Sequence, residues 1–156
     1  MSSPDFVNMH RYQAIERIVY QKVKEWKPKT IVELGHGSGA LTTAMGLALK
    51  EVNNNGKIYS YDINGTTNYN LGSMSESALK NIEKRNLIDI AQFIKGNVFD
   101  TWLKNPFSFD LLVIDINNTW NILHSIIIEN SFIKNEIKKG AKVLIEGGDP
   151  NHPRIN

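Results

Sequence analysis

An acid and three alternating glycines give this chain its most informative chemistry. Residues 31–41 read Ile-Val-Glu-Leu-Gly-His-Gly-Ser-Gly-Ala-Leu, an apolar run that ends in an acid and then meets Gly35, Gly37 and Gly39. A strand, a tight turn and a helix start are expected there in one segment. Glycine permits positive φ and lets a ligand lie almost against the main chain. Unpaired N–H groups at the start of the following helix face the same spot. Glu33 is an acceptor beside that loop, which repels a pyrophosphate and suits a cationic amine. The expected ligand therefore carries a positive group and little or no phosphate.

Three further acids stand where apolar runs stop. Asp62 closes Ile-Tyr-Ser-Tyr-Asp, Asp115 closes Leu-Leu-Val-Ile-Asp, and Glu146 closes Lys-Val-Leu-Ile-Glu ahead of Gly-Gly-Asp149-Pro. A carboxylate at such an end can accept two hydroxyls at once, or simply form a turn. The runs that position these acids alternate with helical patterns, the mark of βα units around a parallel sheet. Helices are expected over about 8–26, 39–52, 76–86 and 119–134, and strands over about 30–34, 57–63, 90–94, 109–116 and 141–146. Right-handed crossovers with one reversal give the order 3-2-1-4-5, and ligands then sit at the carboxyl ends of strands one and four. The fold class is therefore α/β, a three-layer sandwich on a mainly parallel sheet, with residues 1–156 as one domain.

Glu33-Leu34-Gly35-His36-Gly37-Ser38-Gly39 resembles the E-x-G-x-G-x-G loop of class I S-adenosylmethionine-dependent methyltransferases. Gly35 to Ala40 also satisfies the dinucleotide pattern G-x-G-x-x-A. The acid before the first glycine, the third glycine and the helix ahead of strand one favour the methyltransferase. The resemblance implies that Glu33 binds the methionine amino group through the loop, while Gly35, Gly37 and Gly39 admit the cofactor closely. It gives Asp62 the ribose hydroxyls and lays Ile63 on one adenine face. Asn97 takes the place of an acid that accepts from the adenine amino group, and Val98 and Phe99 are candidates for its pocket or for core. Asp100 is expected to cap the turn holding Thr101 and Trp102. His36 is expected to offer its backbone, with its ring towards solvent or substrate.

Asp115 falls where the family places its catalytic, acceptor-side residue. The D/N-P-P-Y-like motif of base methyltransferases is missing, and Asp115-Ile-Asn-Asn with His124 is more similar to small-molecule O-methyltransferases. Some of those hold a divalent cation, so Asp115, Glu146 and Asp149 form a candidate oxygen set for Mg²⁺. His124 reads as a helix-face residue without chemistry. His10 and Tyr12 open the first helix, which in the family often lids the cofactor, and either could contact substrate. The implied reaction is methyl transfer to a small-molecule acceptor at oxygen; the alternative is a non-catalytic binding or assembly module. The family usually adds a helix and an antiparallel hairpin after strand five, whereas about ten residues follow Glu146. A homo-oligomer or partner chain is therefore expected at the strand-five edge, unless residues 147–156 fold back over it.

Composition sets outer bounds. A net charge of +2 is too small to argue for nucleic acid. With no cysteine, disulfides and thiolate metal sites are excluded, and a cytoplasmic home is expected. No apolar run approaches the ~20 residues that span a bilayer, so no membrane role is expected.

Overall fold

The computed structural model describes residues 13–65, 78–116 and 119–146. Five parallel strands make one sheet in the order β3-β2-β1-β4-β5: β1 Thr30–Leu34, β2 Lys57–Asp62, β3 Ala91–Lys95, β4 Leu111–Ile114 and β5 Lys142–Ile145. That is the order expected from the sequence. β4 is a continuous apolar run and β1 is interrupted only by Glu33 after Thr30, because both faces of these central parallel strands are covered.

Helices α1 Gln13–Trp26, α2 Ala40–Val52 and α3 Ala78–Glu83 serve one face of the sheet. There Val19, Val23, Met45 and Leu87 pack on Ile31, Ile58 and Val113. The other face buries Trp102, Phe109, Ile126 and Ile133 on Val32, Leu34, Leu112 and Ile114. The alternation Ile31/Val32 shows how each strand feeds both cores. Among the described residues no helix is long and apolar enough to cross a membrane.

The expected helix 119–134 is two helices. A short α4, Trp120–Leu123, runs on as a π-helix over His124–Glu129 and stops at Asn130. Asn130 is extended, and its side chain accepts from Ile133 N at 3.1 Å, which starts α5, Ser131–Lys138. An Asn is a strong N-cap, so it ends one helix and opens the next where the apolar pattern alone runs through.

Glu16 breaks the usual rule for buried acids. It lies in the first turn of α1, fully enclosed, and among the described residues neither carboxylate oxygen has a hydrogen-bond partner. Burial pushes it up to about 7, against a smaller opposing pull from Arg85. A folded-state value above the ordinary one gives stability that is present below about pH 4.5 and lost as pH rises to about 7. Glu16→Gln should therefore gain on the wild type as pH rises, by on the order of 1–3 kcal/mol between pH 5 and pH 8. Urea unfolding at the two values checks this; an unchanged difference would mean that Glu16 reaches solvent.

Candidate functional site

The loop between β1 and α2 is shaped by its glycines for two different reasons. Gly35 has φ +85°, and a Cβ there would lie 2.1 Å from the Asp115 carbonyl oxygen. Gly39 has φ +79°, and its Cβ would come within 3.0 Å of Ala78 Cα. Both positions make room for the chain itself. At Gly37, φ +49°, a Cβ would meet nothing within 4 Å, so only there does the missing side chain leave the backbone open. Gly35 and Gly39 are thus required by the packing of the chain itself, whatever they admit besides.

Asp62 ties this loop to the end of β2. Its Oδ2 accepts from His36 N at 3.2 Å and Gly37 N at 3.1 Å, and its Oδ1 accepts from Asn64 N at 2.8 Å. Three backbone donors orient one buried carboxylate, which is a strong constraint because charge-assisted bonds exceed neutral ones. Gly35 N reaches Tyr61 O at 2.7 Å, which closes the same seam.

A cavity of about 620 Å³ opens at the carboxyl ends of the strands, beside that seam. Gly35, Asp62 and Ile63 form one wall, Asn97, Val98 and Phe99 a second, and Asp115, Ile122 and Glu146 a third. Its size and mixed lining are those of a small-molecule site. Ile63 is 64% exposed at its mouth, and Phe99 is also exposed. Tyr61, Gly96, Ile116 and Ile122 line it as well, with little in the sequence to mark them for this role. For Tyr61, Gly96 and Ile116 the only signal was adjacency to a strand end, and Ile122 in α4 had none.

Several expected site residues stand elsewhere. Glu33 does not line the cavity; its fully buried carboxylate points to the α2 side of the sheet. There Oε2 accepts from Thr42 Oγ1 and Ser60 Oγ, both at 2.5 Å, while Oε1 has no partner among the described residues. Burial raises its pKa to about 7, opposed by the Ser60 and Thr42 hydrogen bonds and assisted by the Asp62 charge. The ring of His36 is not turned to solvent or substrate but is buried. Nδ1 lies 2.9 Å from Ser60 Oγ, Nε2 lies 2.9 Å from the Gly65 carbonyl, and Phe93 stacks at 4.5 Å. Burial holds its pKa below the ordinary value.

Asn97 borders the cavity, but its side-chain oxygen also accepts from Phe99 N at 3.1 Å, and its carbonyl takes the N–H of Asp100 and of Thr101. Asn97, not Asp100, therefore caps that turn. Asp115 and Glu146 share the cavity, whereas Asp149 lies outside the described residues. Among the described residues no three His, Asp or Glu side chains are grouped to hold a metal. His124 pairs with Glu129 at 3.3 Å on the helix surface and does not line the cavity. His10 and Tyr12 lie outside the described residues.

A strand-loop-helix with its cavity at the switch between β1 and β4 defines a nucleotide-type α/β site. The sequence matches the model of a methyltransferase domain over residues 32–145, and the chain belongs to that family. No curated protein matches it significantly. Its fold is similar to that of the SAH-bound methyltransferase PaMTH1 of Podospora anserina, at 17% identity and a TM-score of 0.60, over 87% of this chain and 51% of that one. The O-methyltransferase TomG of Streptomyces achromogenes, solved with SAM, is similar over 96% of this chain and 64% of its own, at 18% identity and a TM-score of 0.59. An O-methyltransferase from Bacillus cereus in complex with SAH follows at 19% identity and a TM-score of 0.53, over 73% of this chain and 48% of that one. The chain thus spans between about half and just under two thirds of these neighbours.

The two kinds of glycine should behave differently. Gly35→Ala forces a backbone shift and should cost at least ~3 kcal/mol in urea unfolding, while Gly37→Ala should cost only ~1–2 kcal/mol for its positive φ. Equal losses would show that the loop does not pack on β4 as described.

Proposed function

We propose that the cavity at the carboxyl ends of β1, β2 and β4 binds S-adenosylmethionine and that the domain directs its methyl group to the oxygen of a small-molecule acceptor. The observation that carries this reading is Asp62, a carboxylate aimed by three backbone amides into the cavity of a methyltransferase-family domain. SAM or SAH in the solved neighbours supports the same choice of ligand.

The residues present fit such a ligand. Asp62 would take the ribose hydroxyls at the acceptor site its three backbone amides leave, or in place of the Asn64 amide. Ile63 and the Val98–Phe99 wall would hold the adenine between apolar surfaces, and Asn97 would meet its polar edge. The open side of Gly37 would allow close contact with the loop. Glu33 would act through the loop it supports rather than by touching the ligand. When bound, the sulfonium supplies a methyl group that is already electrophilic. The domain's task is then to align the acceptor oxygen and exclude water, and alignment alone can supply much of the rate.

Asp115, on the acceptor side, would accept a hydrogen bond from the acceptor hydroxyl and take up its proton as the methyl bond forms. Asp115 and Glu146, together with Asp149 outside the described residues, would be the oxygen set for a hard cation, which would supply charge stabilisation at the acceptor oxygen. Turnover that survives EDTA would assign Asp115 to the acceptor alone. Binding without turnover across an acceptor panel would support the non-catalytic module instead.

We also propose that another copy or a partner chain covers the outer edge of β5. Among the described residues β5 pairs with β4 alone, and Ile145 is 42% exposed on it. Light scattering at micromolar concentration should give a mass above the 17.7 kDa monomer; a stable monomer would rule out self-association.

The central test of function is calorimetry with S-adenosylhomocysteine. The wild type should bind at micromolar concentration, and Asp62→Ala should lose on the order of 2–4 kcal/mol of affinity while still melting cooperatively. No binding by the wild type, or an unchanged Kd in the variant, would sink the assignment.

A further inference from the structure

Beneath the glycine loop, side chains from three elements join in one buried hydrogen-bonded chain. Glu33 Oε2 on β1 meets Ser60 Oγ on β2 at 2.5 Å, and Ser60 Oγ lies 2.9 Å from His36 Nδ1 in the loop. His36 Nε2 then lies 2.9 Å from the carbonyl of Gly65, in the turn that follows β2. Thr42 Oγ1 on α2 adds a donor to Glu33 Oε2. Glu33, Ser60 and Thr42 are fully enclosed and His36 nearly so, which leaves no solvent to replace a lost bond.

The protons in this chain can be counted. A carbonyl only accepts, so His36 Nε2 must carry a hydrogen. The Ser60 hydroxyl has one hydrogen to give. If Glu33 is protonated, it donates to Ser60, and Ser60 donates to Nδ1 of a neutral ring. If the proton has moved along, Nδ1 donates to Ser60 and Ser60 donates to the Glu33 carboxylate. Both forms hold the same number of protons and satisfy every bond. With one proton fewer, Ser60 cannot donate to both Glu33 and Nδ1; the carboxylate is the stronger acceptor, so Ser60 turns to Glu33 and leaves Nδ1 facing its lone pair. A buried polar group without a partner is strongly disfavoured, so that bond opens.

We propose that His36 is a positioning residue, and that one proton held along Glu33–Ser60–His36 fastens the glycine loop to the Gly65 turn and so keeps the cofactor cavity in its binding shape. Asp62 makes the first tie between the same two segments, through the amides of His36, Gly37 and Asn64; this chain makes the second. The charged groups facing it are the Asp62 carboxylate from β2, which raises both Glu33 and His36, and Lys95 from β3, whose stem would lie 3.1 Å from a Cβ on Gly65. From α2 comes the uncharged Thr42, and from β3 the Phe93 ring. Burial favours the proton on Glu33, whose pKa rises to about 7, and a neutral His36. The chain therefore loses its proton as pH passes upward through neutrality.

The effect on affinity rests on the S-adenosylmethionine reading of the cavity, whereas the lock itself does not. Two readouts on the full chain separate them. Imidazole ¹⁵N spectra of the ligand-free wild type should show a neutral His36 with hydrogen on Nε2 at pH 6, and a change in the ring above pH 7. Affinity for S-adenosylhomocysteine should fall roughly tenfold or more from pH 6 to pH 8.5, as expected when one proton is required. In Glu33→Gln the amide donates to Ser60 without titrating, so affinity should stay flat over that range. His36→Ala should bind weakly at every pH. A ring with hydrogen on Nδ1 alone, ring signals that do not change across neutrality as Ser60 turns away, or a Glu33→Gln profile identical to the wild type would overturn the proposal. If no pH gives binding, the cofactor reading fails, and the ¹⁵N titration still decides the lock.

Discussion

The Asp62 carboxylate fixes the end of β2 against the glycine loop through the amide hydrogens of His36, Gly37 and Asn64. Two strands of a parallel sheet are held by regular ladders along their length, but nothing in those ladders dictates how the chain leaves them. At the carboxyl ends of β1 and β2 that task passes to one side chain. A charge buried among backbone donors is satisfied only in one arrangement, so the turn after Leu34 and the turn after Asp62 are set together. The cavity wall formed by Gly35, Asp62 and Ile63 follows from that joint geometry.

Backbone contact sets the remaining shape of the loop. Gly35 lets β1 pass against the Asp115 carbonyl at the end of β4, and Gly39 lets α2 begin against Ala78. The loop is thereby held at both ends by protein and at its middle by Asp62, which leaves Gly37 facing open space. Polar side chains beneath it replace what would otherwise be apolar core. Glu33, Thr42 and Ser60 are enclosed, and their mutual hydrogen bonds offset part of the cost of desolvating them.

The sheet order and the place of the cavity were legible in the sequence, because apolar runs and strand-end acids mark both without reference to tertiary contacts. Asp62 and Asp115 stand out at those ends, Ile63, Asn97 and Val98 follow from the resemblance to the family, and all five border the cavity. The direction of a side chain was not legible. Glu33 and His36 sit in the right segment, yet whether each turns to ligand or to core depends on Ser60, Thr42 and Gly65, which lie 9–29 residues away. One signal was available: Ser60 stands two residues before Asp62 in an otherwise apolar strand, hence on the same face, where a small hydroxyl needs a buried partner. The π-helical segment was missed because Ile126, Ile127 and Ile128 extend an apolar pattern towards Asn130, and only the cap at Asn130 shows that the chain turns.

A crystal structure with S-adenosylhomocysteine tests the account most directly. The adenine should lie between Ile63 and Val98 and the ribose hydroxyls on Asp62, with the loop amides of His36 and Gly37 still held by the same carboxylate. A ligand seated elsewhere would contradict it, for example in the cavity of about 490 Å³ at the opposite end of the sheet beside Lys27, Lys29 and Lys142. So would a bound ligand whose ribose leaves Asp62 untouched.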